Sequence, residues 1–232
     1  MCFSPEASFA GGVIISLIGV VTIRKVHKPS QMVFASIPLF FAFQQFAEGF
    51  LWLTLPHPEY IYLQKIDTYI FLIMADVLWP MMIPLSVLLM EKDKKRRIII
   101  WVLLAMGLSV SLYYAYYLLF YTVTPEISGY HIKYVNDFPK TIGLFVFALY
   151  LIASITPLFV SSIKRTHLLG ALMFFSCLVT AVFFRQYLTS VWCFFAALIS
   201  GVIFWILRDS KRKFVFDKLE LLKILQPEPA KK

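Results

Sequence analysis

Apolar runs recur along this chain at close to the roughly 20 residues that a helix needs to cross a bilayer core about 30 Å thick. They cover approximately 7–23, 32–55, 68–90, 98–121, 141–163, 168–184 and 189–207. Inside a bilayer no water can satisfy open backbone groups, so runs of this length are read as helices. Apolar residues make up 60% of the 232 residues and charged residues 15%, against about 45–50% and about 25% in soluble domains. A water-soluble fold cannot hide that much apolar surface. The expected class is therefore all-α: an integral membrane bundle of seven transmembrane helices over 1–210, followed by a short tail.

The charged residues orient the bundle. Net charge is +9, which in a soluble chain would suggest nucleic acid, but here the basic residues gather in short runs between the apolar stretches. With the N-terminus outside, all 22 Lys and Arg except Lys65, Lys133, Lys140 and Arg185 fall on the cytoplasmic side. That asymmetry obeys the positive-inside rule. The reading is N-terminus out, C-terminus in, multi-pass in the cytoplasmic (inner) membrane, with the lipid bilayer as its partner and no nucleic acid. The first run ends in Arg24-Lys25 without a small-residue cleavage pattern, so it is expected to stay as the first span. Residues 211–232 mix Lys and Arg with Phe214, Phe216, Leu219, Leu222 and Leu225, as a basic amphipathic segment on anionic lipid does.

Polar residues within the spans carry the functional signal, because an ionisable side chain in hydrocarbon costs about 2.5–3.5 kcal/mol and so faces protein or water. Glu48 and Asp76 are two such groups on consecutive antiparallel spans, both about 10–12 Å below the outer surface at 1.5 Å per residue. Gln44 and Gln45 precede Glu48 on the same helix face, and Trp52 follows it. Trp79 and Pro80 follow Asp76. Arg185, at the outer end of the sixth span, is the expected counter-charge. Tyr117 stands for a tyrosine cluster in the outer half of the fourth span, and Trp192 marks the seventh. These residues, Gln44, Gln45, Glu48, Trp52, Asp76, Trp79, Tyr117, Arg185 and Trp192, form the candidate ligand site. Interhelical hydrogen bonding that merely holds the bundle together is the competing role for the same groups.

Pro38, Pro80, Pro84 and Pro157 lie within spans, where each removes a backbone donor and bends its helix. The outer segment 122–140 is long enough to fold over an outer cavity. Ala7 with Gly11, Ser8 with Gly12, and Ala197 with Gly201 have the spacing that lets helix backbones approach. Cys2 and Cys193 both lie near the outer mouth, as a disulfide or as free thiols, while Cys177 is a mid-span apolar residue. No metal or cofactor motif is present: the four His, at 27, 57, 131 and 167, sit in loops or at span ends.

The opening Met1-Cys2-Phe3-Ser4 with Ala7-Ser8-Phe9, then Gln44-Gln45, Glu48-Gly49 and Trp52, Leu78-Trp79-Pro80 and Val191-Trp192-Cys193, resembles an uncharacterised family of small prokaryotic multi-span membrane proteins. The resemblance covers most of the chain and brings no assigned activity. It implies that the marked positions lie in the outer halves of spans 1, 2, 3 and 7.

Two functions are consistent with these features. The first is an outward-facing polar cavity that binds or senses a small polar or cationic ligand, with proton coupling through the carboxylates and a partner membrane protein to receive a signal. The alternative is a membrane-embedded hydrolase or transferase acting on lipid, with Glu48 or Asp76 as acid or base. No positioned nucleophile and base accompany the second.

Overall fold

The computed structural model describes residues 4–138 and 142–208. The tail expected over 211–232, together with Cys2 and Lys140, lies outside the described residues. The helices are α1 Pro5–Ile23, α2 Met32–Thr54, α3 Ile61–Leu72, α4 Trp79–Met90, α5 Lys94–Phe120, α6 Gly143–Val160, α7 Lys164–Phe183 and α8 Leu188–Ser200. A π-helical segment, Ile73–Leu78, joins α3 to α4 without a break.

Among the described residues, six helical stretches are long and apolar enough to cross a membrane: Pro5–Ile23, Pro58–Met90, Lys94–Phe120, Gly143–Val160, Lys164–Phe183 and Arg185–Arg208. The helix α2, at 23 residues, is about 35 Å long but stands outside this set, because Gln44, Gln45 and Glu48 interrupt its apolar run. The stretch containing Asp76 begins at Pro58, well before the expected residue 68.

The distribution of side chains is the reverse of a water-soluble protein. Gln44, Gln45, Glu48, Thr68, Ser86 and Ser190 are fully buried, while Leu112 and Leu144 are 71% and 83% exposed. Burying polar groups and exposing leucines is favourable only where the surroundings are themselves apolar. Several apolar helices arranged in this way make the chain a multi-pass membrane protein.

Close backbone approach organises the first two helices. Ser4 caps α1 by accepting the Ala7 N–H at 3.3 Å, with Pro5 in the first turn, a position where its missing N–H costs nothing. The buried face of α1 carries Ser8, Gly12, Ile15 and Gly19. A Cβ on Gly12 would press on Phe46, and one on Gly49 would press on Phe9. Of the two small-residue pairs expected on α1, Ser8 with Gly12 makes the contact, whereas Gly11 faces open space.

At one end of the bundle the short basic loops are bonded to each other. Glu91, after α4, is 2% exposed. Its carboxylate accepts the N–H groups of Lys92 (2.9 Å), Asp93 (3.0 Å) and Ser162 (2.6 Å) and the Ser162 hydroxyl (2.8 Å). Arg96 donates to the Val160 carbonyl at 2.7 Å, and Arg97 to Leu88 and Glu91 carbonyls at 3.2 and 3.0 Å.

The opposite end carries an element that the all-α expectation omits. Strands β1 Val123–Ser128 and β2 His131–Asn136 pair antiparallel from Val123 opposite Asn136 to Ser128 opposite His131. Gly129 and Tyr130 form the two-residue turn. Gly129 has φ 62°, and no non-glycine residue described has positive φ, which is the type II′ pattern with glycine first. Ile132 is buried with Leu51 and Trp52, and Tyr134 stacks on Phe71 at 5.0 Å. On the other side the Ser128 and Tyr187 hydroxyls are 2.9 Å apart, and the His131 ring lies 4.5 Å from Tyr187. The hairpin is thus a strap from the α2–α3 end to the α7–α8 turn.

Candidate functional site

Asp76 lies inside the π-helical segment, and the residues behind it explain why the helix widens there. Pro80 has no N–H to offer the carbonyl one turn before it, and Pro84 likewise leaves the Pro80 carbonyl without a helical donor. Neighbouring helices satisfy the loosened backbone instead. Ser111 of α5 donates to the Val77 carbonyl at 2.6 Å, and Tyr150 of α6 donates to the Ala75 carbonyl at 2.7 Å. Gly107 of α5 lies against Pro80 so closely that a Cβ would collide with the Pro80 carbonyl oxygen. Segments of this kind recur at functional positions because they turn a side chain out of helical register.

The side chain so turned opens onto a cavity of about 250 Å³. Asp76 and Ala75 form one wall, Tyr113 and Tyr114 of α5 a second, Phe147 and Tyr150 of α6 a third, and Thr189, Trp192 and Cys193 of α8 a fourth. Asn136 and Phe138, just after the hairpin, border it as well. Asp76 is half-buried, and among the described residues no hydrogen bond or ion pair reaches its carboxylate. Among the described residues no Lys, Arg or His lines the cavity.

Glu48 has different surroundings. Its carboxylate accepts a short hydrogen bond from the Ser190 hydroxyl of α8, and both residues are fully buried. One turn earlier, Gln44 Oε1 accepts the Trp79 indole N–H at 3.1 Å, and Trp79 stacks on Phe41 at 3.8 Å. Gln45 is fully buried with neither amide atom hydrogen-bonded, and Ser8 of α1 and the Trp52 indole are buried without a partner too. Cys193 lies within electrostatic reach of both carboxylates. Cys193 lines the cavity together with Asp76, whereas Glu48 is not part of the lining and bonds to Ser190, three residues before Cys193 on α8.

The expected site residues divide accordingly. Asp76 and Trp192 line the cavity, whereas Gln44, Gln45, Glu48, Trp52 and Trp79 belong to the packed interior beside it. Tyr117 is one turn too far along α5 to reach the cavity wall and instead packs on Phe138 at 5.3 Å. Arg185 is exposed and has no ion pair with Asp76 among the described residues. Span ends fix depth but not azimuth, and Arg185 points away. Cys193 is a buried thiol, and its expected companion Cys2 lies outside the described residues.

Tyr113 and Tyr114 come from the expected tyrosine cluster and Asn136 from the expected outer loop, whereas Phe138, Phe147, Tyr150, Thr189 and the Glu48 partner Ser190 are absent from the sequence-based site. Tyr150 and Ser190 carried a usable signal, each being a polar group within an apolar run. Residues 1–217 match the profile of a family of unknown function, DUF6629. No curated protein and no solved structure matches the chain.

Proposed function

The chain belongs to the DUF6629 family of unknown function, and we propose that it is a seven-span protein of the cytoplasmic membrane whose outer cavity binds or senses a small polar or cationic ligand through Asp76. One observation carries this reading: a carboxylate without a partner among the described residues, on a π-helical segment, facing a cavity of about 250 Å³. An ionised group at such a place is costly, and a structural role would have paired it.

The sidedness follows from charge. Arg24, Lys25 and Lys28, the basic run 92–97, and Lys164 with Arg165 occupy loops opposite the hairpin end, and the positive-inside rule puts those loops in the cytoplasm. The cavity then opens outward beneath the hairpin, and α2 is the seventh span, with its polar residues turned inward. Any signal reaches the cytoplasm through helix movement or a partner membrane protein. The lipid-hydrolase alternative finds little support, since Ser190, the hydroxyl paired with a carboxylate, is fully buried and not on the cavity wall.

The test is a thermal-shift and tryptophan-fluorescence screen of small polar and cationic compounds against the purified protein in nanodiscs, with Asp76→Asn alongside. The expected result is at least one compound that stabilises the parent and not the variant. If every compound that binds does so equally to both, Asp76 is not a ligand group and the proposal fails.

A further inference from the structure

We propose that the Asp76 cavity is built for an organic ammonium ion, a nitrogen cation carrying methyl or short alkyl groups. This names the ligand class for the site proposed above and rests on that reading.

Charge makes the first cut. Among the described residues the wall holds one carboxylate and no basic side chain, so these residues repel an anion in a setting where screening is weak. A hard metal ion is usually held by several charged oxygen ligands, and here Asp76 is joined only by the neutral oxygens of Asn136, Thr189 and the tyrosines, with no cluster of three metal-ligating side chains among the described residues. A bare inorganic cation would also leave most of a 250 Å³ space unfilled or filled with its own hydration water.

Ring geometry makes the second. Tyr113, Tyr114, Phe138, Phe147, Tyr150 and Trp192 all contribute to the lining. They do not lie in one stack. Tyr113 and Tyr114 meet at 86°, Tyr114 and Tyr150 at 85°, and Tyr150 and Trp192 at 64°, with centroids 5.4, 6.4 and 5.7 Å apart. With Phe147 and Tyr150 the near-parallel pair at 18°, the ring planes around the shared space take several orientations. Aromatic faces carry negative quadrupole potential and attract weakly hydrated cations such as alkylammonium groups. The Tyr150 hydroxyl already donates its proton to the Ala75 carbonyl at 2.7 Å, so Tyr150 offers the site its ring and an oxygen that can only accept. A carboxylate with surrounding ring faces suits a ligand that has charge and apolar bulk on the same atom.

The experiment uses the full chain in nanodiscs and isothermal titration with three kinds of probe: tetramethylammonium and choline, the uncharged choline isostere 3,3-dimethylbutan-1-ol, and a set of neutral polar molecules including glycerol and urea. Choline should bind at least tenfold more tightly than its isostere, and Asp76→Asn should abolish that preference. Trp192→Leu should weaken choline about tenfold, and Trp192→Phe should restore much of the loss, which a merely structural role for Trp192 would not produce. Equal binding of choline and its isostere, or Asp76-dependent binding of neutral molecules without the ammonium ions, overturns the ammonium assignment and leaves the ligand site standing. If no probe binds and Asp76→Asn changes no titration, both the assignment and the site beneath it are overturned.

Discussion

Asp76 and Glu91 flank the same helix, α4, and are treated in opposite ways. Glu91 sits where a helix has ended, in a loop, and accepts hydrogen bonds from three backbone N–H groups and one hydroxyl. Asp76 sits inside a span, where the loosened carbonyls of Ala75 and Val77 are each given a donor from another helix while its own carboxylate is given none. The protein therefore has the means to satisfy polar atoms at this point and uses them on the backbone. What the difference teaches is that a carboxylate serving the fold is surrounded by donors from the fold, and one left facing a cavity is kept for something else. Glu48 lies between these extremes, bonded to Ser190 but packed among buried polar atoms that lack partners.

If Glu91 is a staple between loops, removing its charge should be the most damaging change. Glu91→Gln keeps the volume but weakens several charge-assisted bonds and leaves buried N–H groups short of an acceptor, at a cost of about 3 kcal/mol. Burial pushes the Glu91 carboxyl up, but the bonds from Ser162, Asp93 and Lys92 outweigh this and hold it below its ordinary value of 4.5. The folded value is thus below the unfolded one. Its contribution is full above about 4.5 and fades as pH falls through the lower folded value. Denaturation in detergent should therefore show a stability gap between parent and variant that is constant near neutrality and narrows in acid. A gap independent of pH down to strong acid would mean that packing, not charge, holds the loops.

A second variant tests the scaffold that turns Asp76 outward. Gly107→Val forces a side chain into the Pro80 carbonyl, and displacing a packed helix in this way costs about 2 kcal/mol. Because Ser111 and Tyr150 hold the adjoining carbonyls, the shift should also disturb the cavity, lowering ligand affinity together with thermal stability. Ser190→Ala follows at about 1.5 kcal/mol, the worth of a hydrogen bond to a charged group. It should leave cavity affinity within about threefold, since Ser190 and Glu48 lie behind the wall. A large loss of binding in Ser190→Ala would join the two carboxylates into one site after all.

How much of this was visible beforehand depends on what each feature is made of. The spans were legible because apolar runs are long and lipid admits few alternatives to a helix. The cost of burying Glu48 and Asp76 was legible for the same reason, and it pointed to the part of the bundle where Asp76 lines a cavity. Azimuth was not. Successive helix residues point about 100° apart, and the π segment shifts that count again, so depth alone could not choose Tyr113 and Tyr114 over Tyr117 or turn Arg185 toward an acid. The hairpin was obscured for a different reason: the alternation through Ile132 and Tyr134 and the glycine at 129 are ordinary hairpin signals, but they occupy a short stretch between two spans. Ser190 became a partner for Glu48 only through the packing of α8 on α2, a contact between residues far apart in the chain.

The smallest effect is the one that would break the comparison most directly. Asp76→Asn removes a charge that no described residue compensates while keeping the size of the side chain. Since nothing in the fold depends on that charge, the variant should unfold at the same or a slightly higher temperature, a gain of up to about 1 kcal/mol, while losing its ligand. The opposite sign is what Glu91→Gln should give under identical conditions. If Asp76→Asn instead destabilises the protein by as much as Glu91→Gln does, the carboxylate has a structural partner, the two acids are alike, and the cavity loses the group that makes it a site.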